Sequence, residues 1–296
     1  GEDPFRMLAL TFTNKAAGEM RERIEALIGP SARSLWMGTF HSVFARLLRR
    51  HAEVLGYPSN FSIYDTDDTK SLIKSLVREM NLDEAYYKPS PLYARISSAK
   101  NALITPDEYQ NDVGLMAGDR ASGRARFVEL YRAYVQRCHR SGAMDFDDLL
   151  LQTFRLFNEH PDILHQYQMQ FKHLLVDEFQ DTSTLQWINA IPLIHNALAS
   201  NNMSMIVGDA KQAIYRWRGG DVEQFISLPE IPNAQQMPEA QAAMKHQFNP
   251  GILDVNRRSA RAIVAFNNHT YLHISQELGK YQSVYTDAHQ EPHKKH

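Results

Sequence analysis

Short apolar runs that end abruptly in polar residues punctuate the chain. MLALTF (7–12), SLWMGTF (34–40), HLLVDEF (173–179) and MSMIVGD (203–209) each read as a buried strand, because unbroken apolar character over a short run marks a strand covered on both faces. A helix signal follows the first run at once. Thr13 or Asn14 can cap that helix, Ala16, Ala17, Met20, Ile24, Leu27 and Ile28 recur at helical spacing, and Gly29-Pro30 stops it. These units predict a parallel α/β sheet. Between the second and third strands, residues 42–167 carry helical periodicity with almost no strand signal. There Thr66 is the expected cap of a helix bearing Leu72, Ile73, Leu76, Val77 and Met80. An all-helical domain inserted into an α/β domain explains this order. No internal repeat is visible, and the polar tail AHQEPHKKH is expected to fray.

Composition excludes several classes. The 296 residues exceed the usual single-domain size, and 43% hydrophobic with 22% charged residues lies near the average of folded globular proteins. No apolar run approaches bilayer length, so no membrane role is expected. The single cysteine, Cys138, can form no intramolecular disulfide, no Cys/His cluster has zinc spacing, and a reducing, cytoplasmic setting fits. A net charge of −2 argues against a uniformly basic nucleic-acid binder. One basic patch stands out: between Ala26 and Ala52 lie Arg33, Arg46, Arg49 and Arg50 and no acid. Arg46, Arg49 and Arg50 fall on a predicted helix, as its solvated face or as a binding surface; Phe40 and Phe44 are expected in the core.

The strand HLLVDEF runs into Asp177, Glu178, Gln180 and Asp181. Ligands of doubly wound sheets bind beyond the carboxyl ends of strands. Mg²⁺ favours carboxylate oxygen and bridges to phosphate, so Asp177 could hold a metal while Glu178 deprotonates a water; solvated loop charges are the alternative. A second constellation combines aromatic platforms with polar and cationic neighbours, as single-stranded nucleic-acid grooves do. Phe12, His41, Tyr215 and Trp217 stand beside Thr11, Asn14, Lys15, Thr39, Arg216 and Arg218. DFDDLLL (145–151) has a helix-start pattern whose acids suit the helix dipole, and they read as structural.

In chain order, TFTNKAAGEM, GTFHSVFARLL, DFDDLLL, LLVDEFQDTS, VGDAKQAIYRWRGG and LDVNRRS resemble the successive motifs of UvrD/Rep/PcrA-like superfamily 1 DNA helicases. The resemblance spans almost the whole chain. It implies a RecA-like parallel-sheet motor domain in two pieces, 1–41 and 168–246, an inserted helical domain at 42–167, and the start of a second motor domain at 247–296. It further implies an ATP hydrolase that walks 3′ to 5′ on single-stranded DNA and unwinds partly duplex DNA in repair or recombination. By the same resemblance Asp177 is the Mg²⁺ ligand on a Walker B strand, Glu178 the base for water attack, and Gln212 the γ-phosphate sensor linked to the DNA track. Arg258 matches an arginine that reaches the γ-phosphate. Phe12, His41 and Trp217 match DNA contacts, joined by Thr11, Asn14, Lys15, Thr39, Tyr215 and Arg218.

The pattern is broken in places. No G-x-x-x-x-G-K-[ST] loop occurs, although the family carries it just upstream of the strand matching MLALTF. The chain also ends soon after NRRS, and is expected to be a fragment. Arg257 stands where the family has an aromatic that stacks on adenine; a guanidinium can also stack on a base. GDAKQAIYRWRGGD is more similar to RecB/AddA-type subunits. Two alternatives therefore accompany the helicase reading: a catalytically inactive DNA-binding or regulatory module of the same fold, and the helicase part of a helicase-nuclease.

Overall fold

The computed structural model describes residues 3–286 and 288–293. The first predicted unit forms as read: β1 (Met7–Thr11) leads into α1 (Asn14–Ile28), with the Thr13 hydroxyl accepting from the Ala16 amide at 3.1 Å and Gly29 ending the helix at φ 63°. Next come β2 (Trp36–Thr39), α2 (Phe40–His51), β3 (Ser62–Tyr64), α3 (Thr66–Glu79), α4 (Pro89–Asn101), α5 (Pro106–Asn111), α6 (Val113–Ala121) and α7 (Phe127–Arg140). β4 (Ala143–Asp145), α8 (Phe146–Glu159), α9 (Pro161–Gln170), β5 (His173–Val176), α10 (Thr184–Ala199) and β6 (Ser204–Ile206) follow. The chain closes with α11 (Val222–Ile226), α12 (Pro238–Gln247), β7 (Val255–Asn256), α13 (Arg261–Ser275), α14 (Gln282–Thr286) and β8 (Glu291–Pro292).

All four predicted apolar strands join one sheet in the order β2-β1-β5-β6, and β1 pairs parallel with both β2 and β5. Leu8, Leu10, Trp36, Leu174 and Val176 are buried, as expected of a doubly covered sheet. The helical interval contains two strands that its periodicity hides: β3 and β4, three residues each, pair parallel. Its core joins Ile73, Leu76, Leu92, Ile96, Leu130, Tyr131 and Tyr134 from α3, α4 and α7. The cap of α3 is Asp65, not Thr66: its carboxylate accepts from the Asp67 and Asp68 amides, both at 2.8 Å, and Asp68 returns the bond to the Asp65 amide. A carboxylate one residue earlier outcompetes the hydroxyl because it satisfies two orphan donors at once.

The described chain packs as two units, one of Gly1–Val176 with Thr184–Met205, the other of Asp177–Ser183 with Ile206–His296. In the first, α2 packs on α8 and on β2, and α8 on α10. In the second, the polar tail is tied down: the Glu291 amide donates to Asp254 at 2.7 Å and the His293 amide to Asn256 at 3.0 Å, so residues up to 293 do not fray. The rest of that tail, 294–296, lies outside the described residues. Among the described residues no helix is long and apolar enough to cross a membrane.

The acids of DFDDLLL are structural. Asp145 caps α8 in a reciprocal box with Asp148, and buried Lys100 of α4 meets both, at 2.7 Å and 2.8 Å. Tyr134 donates to Asp145 at 2.6 Å and Asn101 to Asp147 at 2.8 Å. Burial opposes the charged form of Asp145, but Lys100 outweighs it and holds that carboxyl below its usual range; burial and the Asp145 charge push Asp148 up to about 7.

Candidate nucleotide and nucleic-acid site

Immediately after β5 the backbone turns sharply. Asp177 accepts the Glu178 amide on its own carboxylate at 2.9 Å, and Glu178 sits at φ 53°, ψ 36° in the left-handed region. A non-glycine residue there is strained, and such strain is held only where surrounding bonds fix it. They do so here. The Phe179 amide donates to Val207 at 3.1 Å, Gln180 Oε1 accepts from the Asp209 amide at 3.0 Å, and Asp181 Oδ1 accepts from the Ile214 and Tyr215 amides, each at 3.1 Å. The Asp221 amide donates to Thr182 at 3.1 Å, and Ser183 bridges Gly220. Residues 179–183, which follow Asp177 and Glu178 directly, are thus sewn to 207–224.

Two glycines permit that approach. A Cβ on Gly220 would lie 2.8 Å from the Asp181 carbonyl oxygen, and one on Gly208 would lie 2.9 Å from Gln180 Oε1. Sequence reasoning noted Gln180 and Asp181 only as polar punctuation; their work is to bind backbone amides, which no spacing rule reveals. Burial raises the Asp181 carboxyl, against the two amide donors that favour its charge.

Gln212 is exposed, its Nε2 donating to Asp209 Oδ2 at 2.9 Å, while Lys211 Nζ pairs with Asp209 Oδ1 at 2.7 Å. Burial opposes ionisation of Asp209, but the bonds from Lys211 and Gln212 outweigh it and its carboxyl titrates below the ordinary value. Beyond them, half-buried Tyr215 and exposed Trp217 and Arg218 form one group. The two rings stand 6.2 Å apart, and the Arg218 guanidinium lies 4.8 Å from the Trp217 ring, which is 74% exposed. Arg257 and Arg258 are exposed at and after β7, with Asn256 Oδ1 accepting from the Arg258 and Ser259 amides at 3.0 and 2.8 Å.

In the first unit, Thr11 and Thr39 are register partners at the carboxyl ends of β1 and β2. Both side chains are buried, and the Thr39 hydroxyl caps α2 by accepting from the Ser42 amide at 3.3 Å. Asn14 and Lys15 are exposed at the start of α1, Phe12 is half-buried, and His41 packs edge-on against Phe146 at 5.8 Å. Phe40 and Phe44 are core, as read.

The oxygen donors after β5 suit Mg²⁺, which takes one or two carboxylates and completes its shell with phosphate and water. Among the described residues no cluster of three or more His, Cys, Asp or Glu could enclose a metal, so Asp177 fits a shared site and not an all-protein cage.

The sequence profile of the UvrD/REP helicase N-terminal domain matches residues 1–231. The chain belongs to the UvrD/REP helicase family. It is 40% identical over 268 residues to the ATP-dependent DNA helicase PcrA of Leuconostoc citreum, covering 90% of this chain and 33% of that protein. Its likeness to the PcrA helicase of Bacillus subtilis (strain 168) is 40% over 233 residues, 78% of this chain and 30% of the relative. With PcrA of Staphylococcus epidermidis (strain ATCC 12228 / FDA PCI 1200) it shares 37% over 277 residues, 94% of this chain and 35% of the relative. The chain spans about a third of the length of these curated relatives. As a member of the UvrD/REP family it carries the α/β, RecA-like sheet that the strand order displays.

Proposed function

We propose that the chain serves an ATP-dependent motor that moves 3′ to 5′ along single-stranded DNA and separates partly duplex DNA ahead of it, in repair or recombination and in the cytoplasm. The observation that carries this reading is the bonding of 179–183, the residues directly after Asp177 and Glu178, to 207–224, the stretch that bears Tyr215, Trp217 and Arg218. Bound Mg²⁺–ATP supplies a phosphoryl group whose transfer needs positioning and charge stabilisation. Asp177 would hold the metal, Glu178 would accept the proton of the attacking water, and Gln212 and Arg258 would supply N–H donors to the γ-phosphate. Arg257 stacks on the adenine through its guanidinium plane. Single-stranded DNA is contacted by Phe12, Asn14, Lys15 and His41 of the first unit, where Thr11 and Thr39 offer backbone at the strand ends, and by Tyr215, Trp217 and Arg218 of the second.

The same proposal divides the chain into 1–41 and 168–246 of a first motor domain, a helical insertion at 42–167, and the start of a second motor domain at 247–296. The four sheet strands lie in the first two pieces and the Ile73–Tyr134 core in the insertion. The buried, free Cys138 suits a reducing compartment. The test is Glu178→Gln in the intact protein. Nucleotide and DNA binding persist while DNA-stimulated turnover falls at least 100-fold, the scale of a lost general base. Turnover near that of the parent removes Glu178 from its role.

A further inference from the structure

α2 presents Arg46, Arg49 and Arg50 on an exposed side, opposite buried Val43, Phe44, Leu47 and Leu48. The Arg46 and Arg50 guanidiniums lie 4.0 Å and 4.7 Å from the centroid of one indole, Trp36; Arg49 lies 4.6 Å from the Phe61 ring and donates to the Phe61 carbonyl at 3.1 Å. Among the described residues no carboxylate forms an ion pair with any of the three. Stacking uses the flat face of a guanidinium and leaves in-plane N–H donors to other partners.

Packing alone does not require this arrangement. Like charges one helical turn apart disfavour a helix, and Arg46 feels both its burial and the charge of Arg50. The helix carboxyl end favours cations and accounts for Arg49 and Arg50 in the last turn, but not for Arg46. What the arrangement supplies is a set of cations already fixed in place, which lose little freedom when an anion arrives. The aromatic rings beneath them are closed to bases: Trp36 is 0% and Phe61 1% exposed. The surface can therefore grip phosphates but cannot stack bases, which suits a duplex, where the bases are stacked on one another and the phosphates are outermost.

We propose that the outer side of α2 is a docking surface for the phosphate backbone of double-stranded DNA, with Arg46 and Arg50 as its paired anchor and Arg49 beside them. The proposal rests on the nucleic-acid reading above and adds a second, duplex-directed surface to the single-strand platform at Trp217.

The test is fluorescence anisotropy of this chain with a labelled blunt duplex and a labelled single strand, titrated with KCl. Arg46→Gln/Arg50→Gln is expected to weaken duplex binding and to lower the slope of log Kobs against log salt by roughly 1.8, about 0.9 for each phosphate no longer neutralised. Arg120→Gln/Arg140→Gln, which removes the same charge from exposed positions of α6 and α7, is expected to leave that slope unchanged. Arg46→Lys/Arg50→Lys keeps the charge and loses the stacked pre-placement; it is expected to keep the slope and bind several-fold more weakly, and it decides the matter should the Gln pair not fold. A parental slope in the Gln pair, an equal loss in the control pair, or parental affinity in the Lys pair overturns the proposal. Polyglutamate displacing the duplex as effectively as unlabelled duplex does also overturns it, in favour of an acidic protein. The two readings fail separately: single-strand binding that Trp217→Ala leaves unchanged refutes the platform, whereas the α2 variants are read on the duplex alone.

Discussion

Removing the Lys100 ammonium should turn a stabilising cluster into a pH-dependent fault. In the parent, one buried cation serves two buried carboxylates at 2.7 Å and 2.8 Å. Asp145 titrates below its usual range, so its contribution is present above the ordinary carboxylate pKa and is lost as pH falls through the depressed value. Asp148, pushed up to about 7 by burial and by Asp145, does the opposite: its contribution is full below the ordinary value and is lost as pH rises through 7. Lys100→Met leaves Asp145 buried without its counter-charge, so the folded variant takes up a proton that the parent does not. One extra bound proton in the folded state steepens the decline of stability with pH by about 1.4 kcal/mol per pH unit relative to the parent. From near pH 4 to pH 7 this accumulates to about 4 kcal/mol, in line with the ~3–5 kcal/mol cost of breaking a buried pair on one side. The assay is urea unfolding followed by far-UV circular dichroism at pH 5, 6, 7 and 8. The two stability curves should converge toward pH 4 and diverge above it. Parallel curves, or a difference below about 1 kcal/mol at pH 8, refute the reasoning.

Other expectations follow from the strand-end loop. Glu178→Gly relieves a left-handed side chain and should stabilise the fold by about 1 kcal/mol while abolishing turnover, read as a rise in melting temperature of roughly 2–4 °C. Gly220→Ala places a methyl 2.8 Å from the Asp181 carbonyl oxygen and should cost ~1–3 kcal/mol in chemical denaturation; a neutral result would show that 177–183 can part from 215–220. Trp217→Ala should lower single-strand affinity by ~1–3 kcal/mol across several base sequences and leave the melting temperature unchanged, since the ring is 74% exposed; sequence-selective loss would contradict a stacking role.

Much of the framework was legible because it is local. Apolar runs located all four sheet strands, and Thr13 with Gly29 bounded α1. The strands were read one to three residues too long at their carboxyl ends because the chain there turns to other work: Phe40 opens α2 behind its Thr39 cap and Glu178 reverses the backbone. β3 and β4 are too short for any period to show. Long-range pairing was the illegible part. DFDDLLL announced a helix start, but Lys100, which neutralises it, lies 45 residues before Asp145 and carries no spacing signature. The arginines of α2 read equally as a solvated face or a binding surface, because no spacing places Trp36 and Phe61 beneath them. At the site, strand-end chemistry and the aromatic–cation pattern singled out Asp177, Glu178 and Trp217 and the resemblance added Gln212, whereas Gln180, Asp181 and Gly220 carry no sequence signature because their partners are backbone atoms.

The stitching of 179–183 to 207–224 also constrains thermodynamics, whichever ligand arrives first. Asp181 holds the amides of Ile214 and Tyr215, and Gly220 closes the loop on Ser183, so the Trp217 turn is pinned at both ends to the segment that begins at Asp177. Neither end can be displaced without work being done on the other. If occupancy at Asp177 alters the affinity of the Trp217 turn for its ligand by some factor, occupancy of that turn must alter affinity at Asp177 by the same factor. Weakening a stitch, as Asp181→Ala would, shrinks both factors together, so the coupling can be measured from either side and must agree.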